Sequence, residues 1–166
     1  MTLGKKVLLY IGVACAMVGM FCWWYYQPER VVKRRVMALI STLSVPADSG
    51  RTARLMKGGQ IADFLASEVE FDTPFEEVSG NVERDDISSG FQFVAEKATS
   101  IVIEPEEEMS VKVSGDRAEV RLALRAEAKI GTWIKPVDGK YTVELYWQKA
   151  DDGWRITQSR WQKATP

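Results

Sequence analysis

The first stretch of the chain differs in pattern from everything after it. Val7–Tyr26 reads VLLYIGVACAMVGMFCWWYY, carries no charged side chain, and closes on four aromatics, Trp23, Trp24, Tyr25 and Tyr26. A run without a polar stripe predicts a helix that is apolar on every side. At about 1.5 Å per residue it spans roughly 30 Å, the thickness of a bilayer core. A closing band of Trp and Tyr is what a membrane–water interface favours. The expectation is an uncleaved transmembrane anchor, with residues 1–27 as cap and span and residues 28–166 as one domain. Two alternatives use the same residues. Lys5 and Lys6 resemble the charged start of a signal peptide, with Ala14-Cys15-Ala16 as its cleavage site. Gly12–Cys15 resembles a lipoprotein acylation site. Both require an apolar run that stops early, and this one does not.

From Pro28 the period becomes helical. Val32, Val36, Leu39, Ile40 and Leu43 share one face and Arg30, Arg34 and Ser41 the other, until Val45–Gly50 ends the helix. Arg51–Lys57 predicts a helical turn interrupted by Gly58-Gly59, followed by a short helix over Gln60–Ser67. Glu68–Thr73 alternates as a strand with Val69 and Phe71 on one side. Pro74–Arg84 has no period and reads as loop. Asp85 and Asp86 supply a helix start, with Ile87, Phe91, Val94 and Ala98 at helical spacing.

The period then changes to two. Ile101–Glu104 and Met109–Ser114 are short strands, the second turned by Gly115-Asp116. Arg117–Ala128 sets Ala118, Val120, Leu122, Leu124 and Ala126 on one face against Arg117, Glu119, Arg121, Arg125 and Glu127. Pro136–Gly139 reads as a hairpin connection. Tyr141–Lys149 points Tyr141, Val143, Leu145 and Trp147 inward. After Asp151-Asp152-Gly153 the last strand runs Trp154–Trp161, with Trp154 and Ile156 inward and Trp161 outward beside Tyr146.

Charge sharpens this picture. The net charge of −1 hides a mosaic: residues 28–57 carry +5, 58–116 carry −12 and 117–166 carry +4. So large an acidic block argues against nucleic acid as a partner. Arg30, Lys33 and Arg34 follow the aromatic band at once and are candidates for contact with lipid head groups. They also balance Lys5 and Lys6, so the positive-inside comparison does not decide orientation. The arrangement common to short N-terminal anchors is adopted, with a cytoplasmic N-terminus and an exported domain. Both cysteines, Cys15 and Cys22, lie in the apolar run, so the domain has no disulfide framework. The absence of histidine excludes hydrolytic triads and histidine-dependent zinc sites. No metal and no cofactor is expected.

The order of helices, short strand, helix and long antiparallel strands, with Gly115-Asp-Arg-Ala-Glu-Val120 and Asp152-Gly-Trp-Arg-Ile156, resembles the nuclear transport factor 2-like superfamily over roughly residues 28–162. That resemblance implies an α+β cone: three to four helices packed on a curved, mainly antiparallel sheet, behind the transmembrane helix. It also implies a pocket that isomerase and cyclase members furnish with carboxylates. Asp63 and Asp72, with Glu70 nearby, lie where such an acid can fall, although no second catalytic partner is recognisable. Trp133, Tyr141, Tyr146, Trp147, Trp154 and Trp161 can line a pocket or an interface. Arg121, Arg125, Tyr146 and Trp161 are the candidate interface, because Arg and aromatics dominate hot spots and the outer sheet face commonly pairs in this superfamily.

Three functions are weighed. The first is a non-catalytic, membrane-anchored interaction module with a protein partner or a second copy, like in layout to inner-membrane components of type IV secretion systems. The second is a pocket protein for a small apolar or lipid-like ligand. The third, disfavoured by the missing histidine, is an isomerase- or cyclase-type enzyme.

Overall fold

The computed structural model describes residues 3–74, 79–131 and 137–164, with side chains from Ile11 onward. The apolar run is helical: α1 spans Leu3–Tyr25. Its described side chains are exposed on every side, Ile11, Met17, Val18, Met20, Phe21 and Trp23 among them. Among the described residues no helix is long and apolar enough to cross a membrane, so the structure does not support the transmembrane part of the expected architecture. The stretch of α1 with described side chains, 11–25, is shorter than a bilayer core on its own.

Helix α2 spans Pro28–Leu43, with proline in its first turn and Val32, Val36, Leu39 and Ile40 buried, the face the spacing predicts. Its last carbonyls are satisfied from outside the helix. Lys57 Nζ donates to Ser41 O at 2.8 Å and to Ser44 O at 2.5 Å. Burial at this position lowers the Lys57 pKa. Helix α3 spans Arg51–Ile61 without a break, and a 3-10 turn over Ala62–Phe64 follows. The expected interruption at Gly58-Gly59 is therefore corrected. Gly58 is a contact, where a Cβ would stand 2.5 Å from the Cβ of Gln92. Ser88 Oγ donates to its carbonyl at 2.5 Å. Ser88 and Gln92 lie on α4, Arg84–Lys97, and glycine lets the two helices touch. Asp85 and Asp86 occupy the first turn of α4, where carboxylates oppose the helix dipole.

One seven-stranded sheet receives these helices. Its strands are β1 (Leu65–Asp72), β2 (Gly80–Glu83), β3 (Ala98–Pro105), β4 (Ser110–Ser114), β5 (Arg117–Ile130), β6 (Val137–Ala150) and β7 (Gly153–Lys163). The order is β2-β1-β7-β6-β5-β3, with β4 also pairing with β5, and every pairing is antiparallel except β1 with β7. Two expectations change. β2, inside the segment read as loop, pairs with β1, and four residues are too few to show a period. Val137–Gly139, read as a hairpin turn, continues β6 opposite Ala126–Ala128; Pro136 and Trp133 lie outside the described residues. The turns at Gly115 (φ +58°) and Gly153 (φ +127°) fall where the sequence places them, in backbone conformations that favour glycine.

The main core fills the space between sheet and helices. Val120, Leu122, Leu124, Tyr141, Val143, Leu145, Trp147, Trp154 and Ile156 pack from the sheet against Val32, Val36, Leu39 and Ile40. A smaller core of Val45, Ala95, Ala98, Ile101 and Ile130 lies beside it. Arg54 closes this second core by donating to the carbonyls of Ser49 (2.9 Å), Ala47 and Thr99 (3.2 Å each) and Ala98.

Candidate functional site

The inner face of the sheet does not meet the helices everywhere. A cavity of about 450 Å³ remains between them, within the range of small-molecule sites. Leu39 and Leu43 of α2 and Ile61 of α3 form one wall, and Ile87, Phe91 and Val94 of α4 form the second. Leu65 and Phe71 of β1, Val82 of β2, Leu145 of β6 and Ile156 of β7 form the floor. The lining is almost wholly apolar. Its polar contributors are Asp86, exposed at the start of α4, and Ser159, 4% exposed on β7.

Ser159 and Trp161 reach this cavity through a bulge. In β7, Ile156 pairs with Trp147, while Gln158 pairs with Tyr146, so Thr157 is the extra residue. A one-residue insertion exchanges the faces of everything beyond it. Inward positions before the bulge are Trp154 and Ile156; after it they are Ser159 and Trp161, opposite Leu145 and Val143. The placement of Trp161 on the outer face beside Tyr146 is therefore corrected. Trp161 lines the cavity, stands edge-on to Tyr141 with ring centroids 6.0 Å apart, and donates from Nε1 to Ser159 Oγ at 2.8 Å. Alternation counted from Trp154 misses both residues, because a bulge leaves no mark in hydropathy.

The outer face is built from charge. Asp72, Arg160, Glu144 and Arg121 are cross-strand partners in one row through β1, β7, β6 and β5. Their signs alternate along it. Arg160 meets Asp72 at 3.0 Å and Glu144 at 3.5 Å, and Arg121 meets Glu144 at 3.1 Å. Tyr146 donates to Glu144 at 3.3 Å, and Arg160 lies 5.9 Å from its ring centroid. Partial burial and the Glu144 charge push the Tyr146 phenol up, and Arg160 partly offsets this. Arg125 stands apart, 3.6 Å from Asp138. Of the four residues read as an interface, Arg121 and Tyr146 thus share one network, Arg125 is near the far end of β5, and Trp161 is on the other side of the sheet.

The two candidate acids do not enter the cavity. Asp72 is exposed and bound to Arg160 in the outer row. Asp63 is exposed on the 3-10 turn, and its backbone carbonyl accepts from Arg35. Burial, and then the nearby Arg155, lower the Arg35 pKa, and Asp63 and Asp152 oppose them. Glu70 is also exposed, opposite Gln158. Among the described residues no group of His, Cys, Asp and Glu is arranged to hold a metal ion.

The basic residues after α1 have protein partners. The Arg30 guanidinium lies 3.6 Å from the Trp24 ring centroid and that of Arg34 3.7 Å from Tyr25, distances at which cation–π attraction operates. Arg34 also donates to the Tyr25 carbonyl at 3.0 Å. Lys33 pairs with Glu108 at 3.3 Å. Trp23 and Tyr26 are exposed. These contacts join the end of α1 to the start of α2.

Comparison with known proteins bears on the fold. No known family profile and no curated protein matches the sequence. Solved structures do match. One is a protein assigned as a scytalone dehydratase from Novosphingobium aromaticivorans, with 12% identity, a TM-score of 0.63, and coverage of 82% of this chain and 83% of that one. A second, assigned as a dehydratase of the NTF2-like family from Streptomyces avermitilis, has 13% identity, a TM-score of 0.62 and coverage of 83% and 96%. A third is the S. rosetta CaMKII hub, with 16% identity, a TM-score of 0.57 and coverage of 83% and 98%. At such identities the likeness speaks for fold and not for activity. The α+β arrangement of helices on one mixed sheet is similar in fold to these solved structures, an NTF2-like protein among them.

Proposed function

We propose that this chain is a non-catalytic binding module that works at a membrane surface and receives a small apolar ligand in the cavity between α2, α3, α4 and the sheet. The observation that carries this reading is the lining: an apolar cavity of ligand size, with a single buried hydroxyl and a carboxylate only at its edge. Proton transfer needs an acid or base within reach of the substrate and tuned by its surroundings. Asp63 and Asp72 face elsewhere, and the chain has no histidine. Binding therefore accounts for the site better than isomerase or dehydratase chemistry, although two structural neighbours carry dehydratase assignments. The alternative, self-pairing through the outer sheet face, draws support from the hub-like neighbour, but Arg121, Glu144, Arg160 and Tyr146 already satisfy one another there.

The membrane part of the proposal rests on the uncharged run Val7–Tyr26 and on the exposure of the described α1 side chains. Exposed apolar surface on all sides of a helix calls for an apolar surround. We place the N-terminus in the cytoplasm and the domain outside it. Nile red, an uncharged dye that brightens in apolar sites, tests the cavity. Saturable binding that is lost in Leu39→Glu and Ile87→Glu supports it, whereas unchanged binding in both overturns it. Carbonate extraction tests the anchor: the protein should stay in the membrane pellet, and release to the supernatant rejects anchoring. An active C-terminal phosphatase fusion is expected for an exported domain, and an inactive one places the domain in the cytoplasm.

A further inference from the structure

The polar atoms of the cavity narrow the ligand further. Ser159 Oγ accepts the Trp161 Nε1 proton at 2.8 Å, which occupies one of its two lone pairs and leaves its own proton to be placed. Its own proton is donated to no described acceptor, and the residue is 4% exposed. A hydroxyl so buried in apolar surroundings is costly unless its proton finds a partner. Asp86 is the one charged residue of the lining. It lies on the exposed side, in the first turn of α4, next to Asp85, whose charge is answered by Arg84 at 3.9 Å.

We infer that the ligand is an uncharged apolar molecule carrying one carbonyl or hydroxyl oxygen, which accepts the Ser159 proton, and that carboxylate-bearing lipids are rejected. This rests on the binding role proposed for the cavity. An anionic ligand fails in either orientation. Head inward, its carboxylate loses water and gains one hydroxyl, with no cation in the lining to pair with it. Head outward, it meets Asp86. An uncharged ketone or alcohol meets neither penalty, and a buried hydroxyl whose proton has no described acceptor favours ligands that carry the matching oxygen. The volume accommodates a medium-length chain or a small fused-ring skeleton.

The test is displacement of Nile red by 2-dodecanone, dodecane and dodecanoate, each below its micellar or solubility limit, from the full chain in a neutral detergent. The ketone should displace the dye at a concentration at least about tenfold below that of dodecanoate, and below that of dodecane. Asp86→Asn should narrow the gap between ketone and carboxylate. Ser159→Ala combined with Trp161→Phe, which removes both donors, should abolish the advantage of ketone over alkane. Equal displacement by dodecanoate and ketone, or a ketone no better than dodecane, overturns this inference and leaves the binding role standing. Absence of any saturable Nile red binding overturns the binding role itself.

Discussion

The two faces of the β5–β6–β7 sheet are written by alternate residues of the same strands, yet they do opposite things. On β5, Leu122 is 3% exposed and faces the core, while its neighbour, the exposed Arg121, pairs with the partly buried Glu144 on the outer face. The inner face gains stability by removing apolar area from water, at roughly 25 cal/mol per Å². The outer face gains little from its row of alternating charges, because exposed ion pairs are screened and contribute about 0–1 kcal/mol each. What distinguishes the faces functionally is completeness. The outer row closes on itself, with each charge answered by a neighbour. The inner face leaves a cavity and a buried hydroxyl that accepts from Trp161 and donates to no described acceptor, so the unfinished face is the one with room for a ligand.

The largest effect should come from exchanging the faces. Deleting Thr157 alone leaves Gln158 opposite Tyr146 and every face unchanged. Deleting Thr157 and Gln158 together, with the hairpin at Gly153 kept, puts Ser159 opposite Tyr146 and turns Ser159 and Trp161 outward and Arg160 inward. An unpaired guanidinium in the apolar cavity costs several kcal/mol, so a loss of at least about 4 kcal/mol is expected in urea unfolding, together with loss of dye binding. A two-residue deletion variant with near-normal stability and dye binding would show that the register of β7 does not set the face of Trp161. Next comes the neighbouring pair on β5. Leu122→Ala should cost about 3 kcal/mol by leaving a void in packed core. Arg121→Ala should cost less than about 1 kcal/mol, and that small cost should shrink further in 0.5 M salt. Comparable losses at the two positions would erase the energetic contrast between the faces.

The same contrast explains what the sequence disclosed. Alternation in Arg117–Ala128 and Tyr141–Lys149 assigns the inner face of β5 and most of β6 correctly, because burial on one side of a strand forces a period of two. The helical face of α2 is legible for the corresponding reason. The candidate site is much less so. Trp161 and Ser159 depend on a bulge that adds one residue without changing composition. Gly58-Gly59 reads as a break because glycine weakens a helix in isolation, whereas here contact with Gln92 on α4 selects it. Asp63 and Asp72 drew interest as acids of an expected pocket, but proximity in sequence does not say which way a side chain faces. Asp72 turns out to be the end of the outer row, a role that requires knowing that β1 runs beside β7.

The smallest effect is a titration that reads the outer row directly. Tyr146 ionises above the ordinary tyrosine range, first because it is partly buried and then because Glu144 disfavours a second negative charge beside it. Arg160 acts in the opposite direction. A folded-state pKa raised above the unfolded value means that the folded protein holds this proton more tightly. The corresponding stability is fully present below the ordinary tyrosine pKa and is lost as pH rises through the folded one. The phenolate absorbance difference between the protein and Tyr146→Phe isolates this group. Glu144→Gln should move its midpoint down, and Arg160→Gln should move it up. Opposite signs are what a row of alternating charges requires, since removing an anion and removing a cation beside one phenol cannot act alike. If both substitutions shift the midpoint in the same direction, burial alone governs Tyr146, and the row is a set of separate pairs rather than a connected ladder.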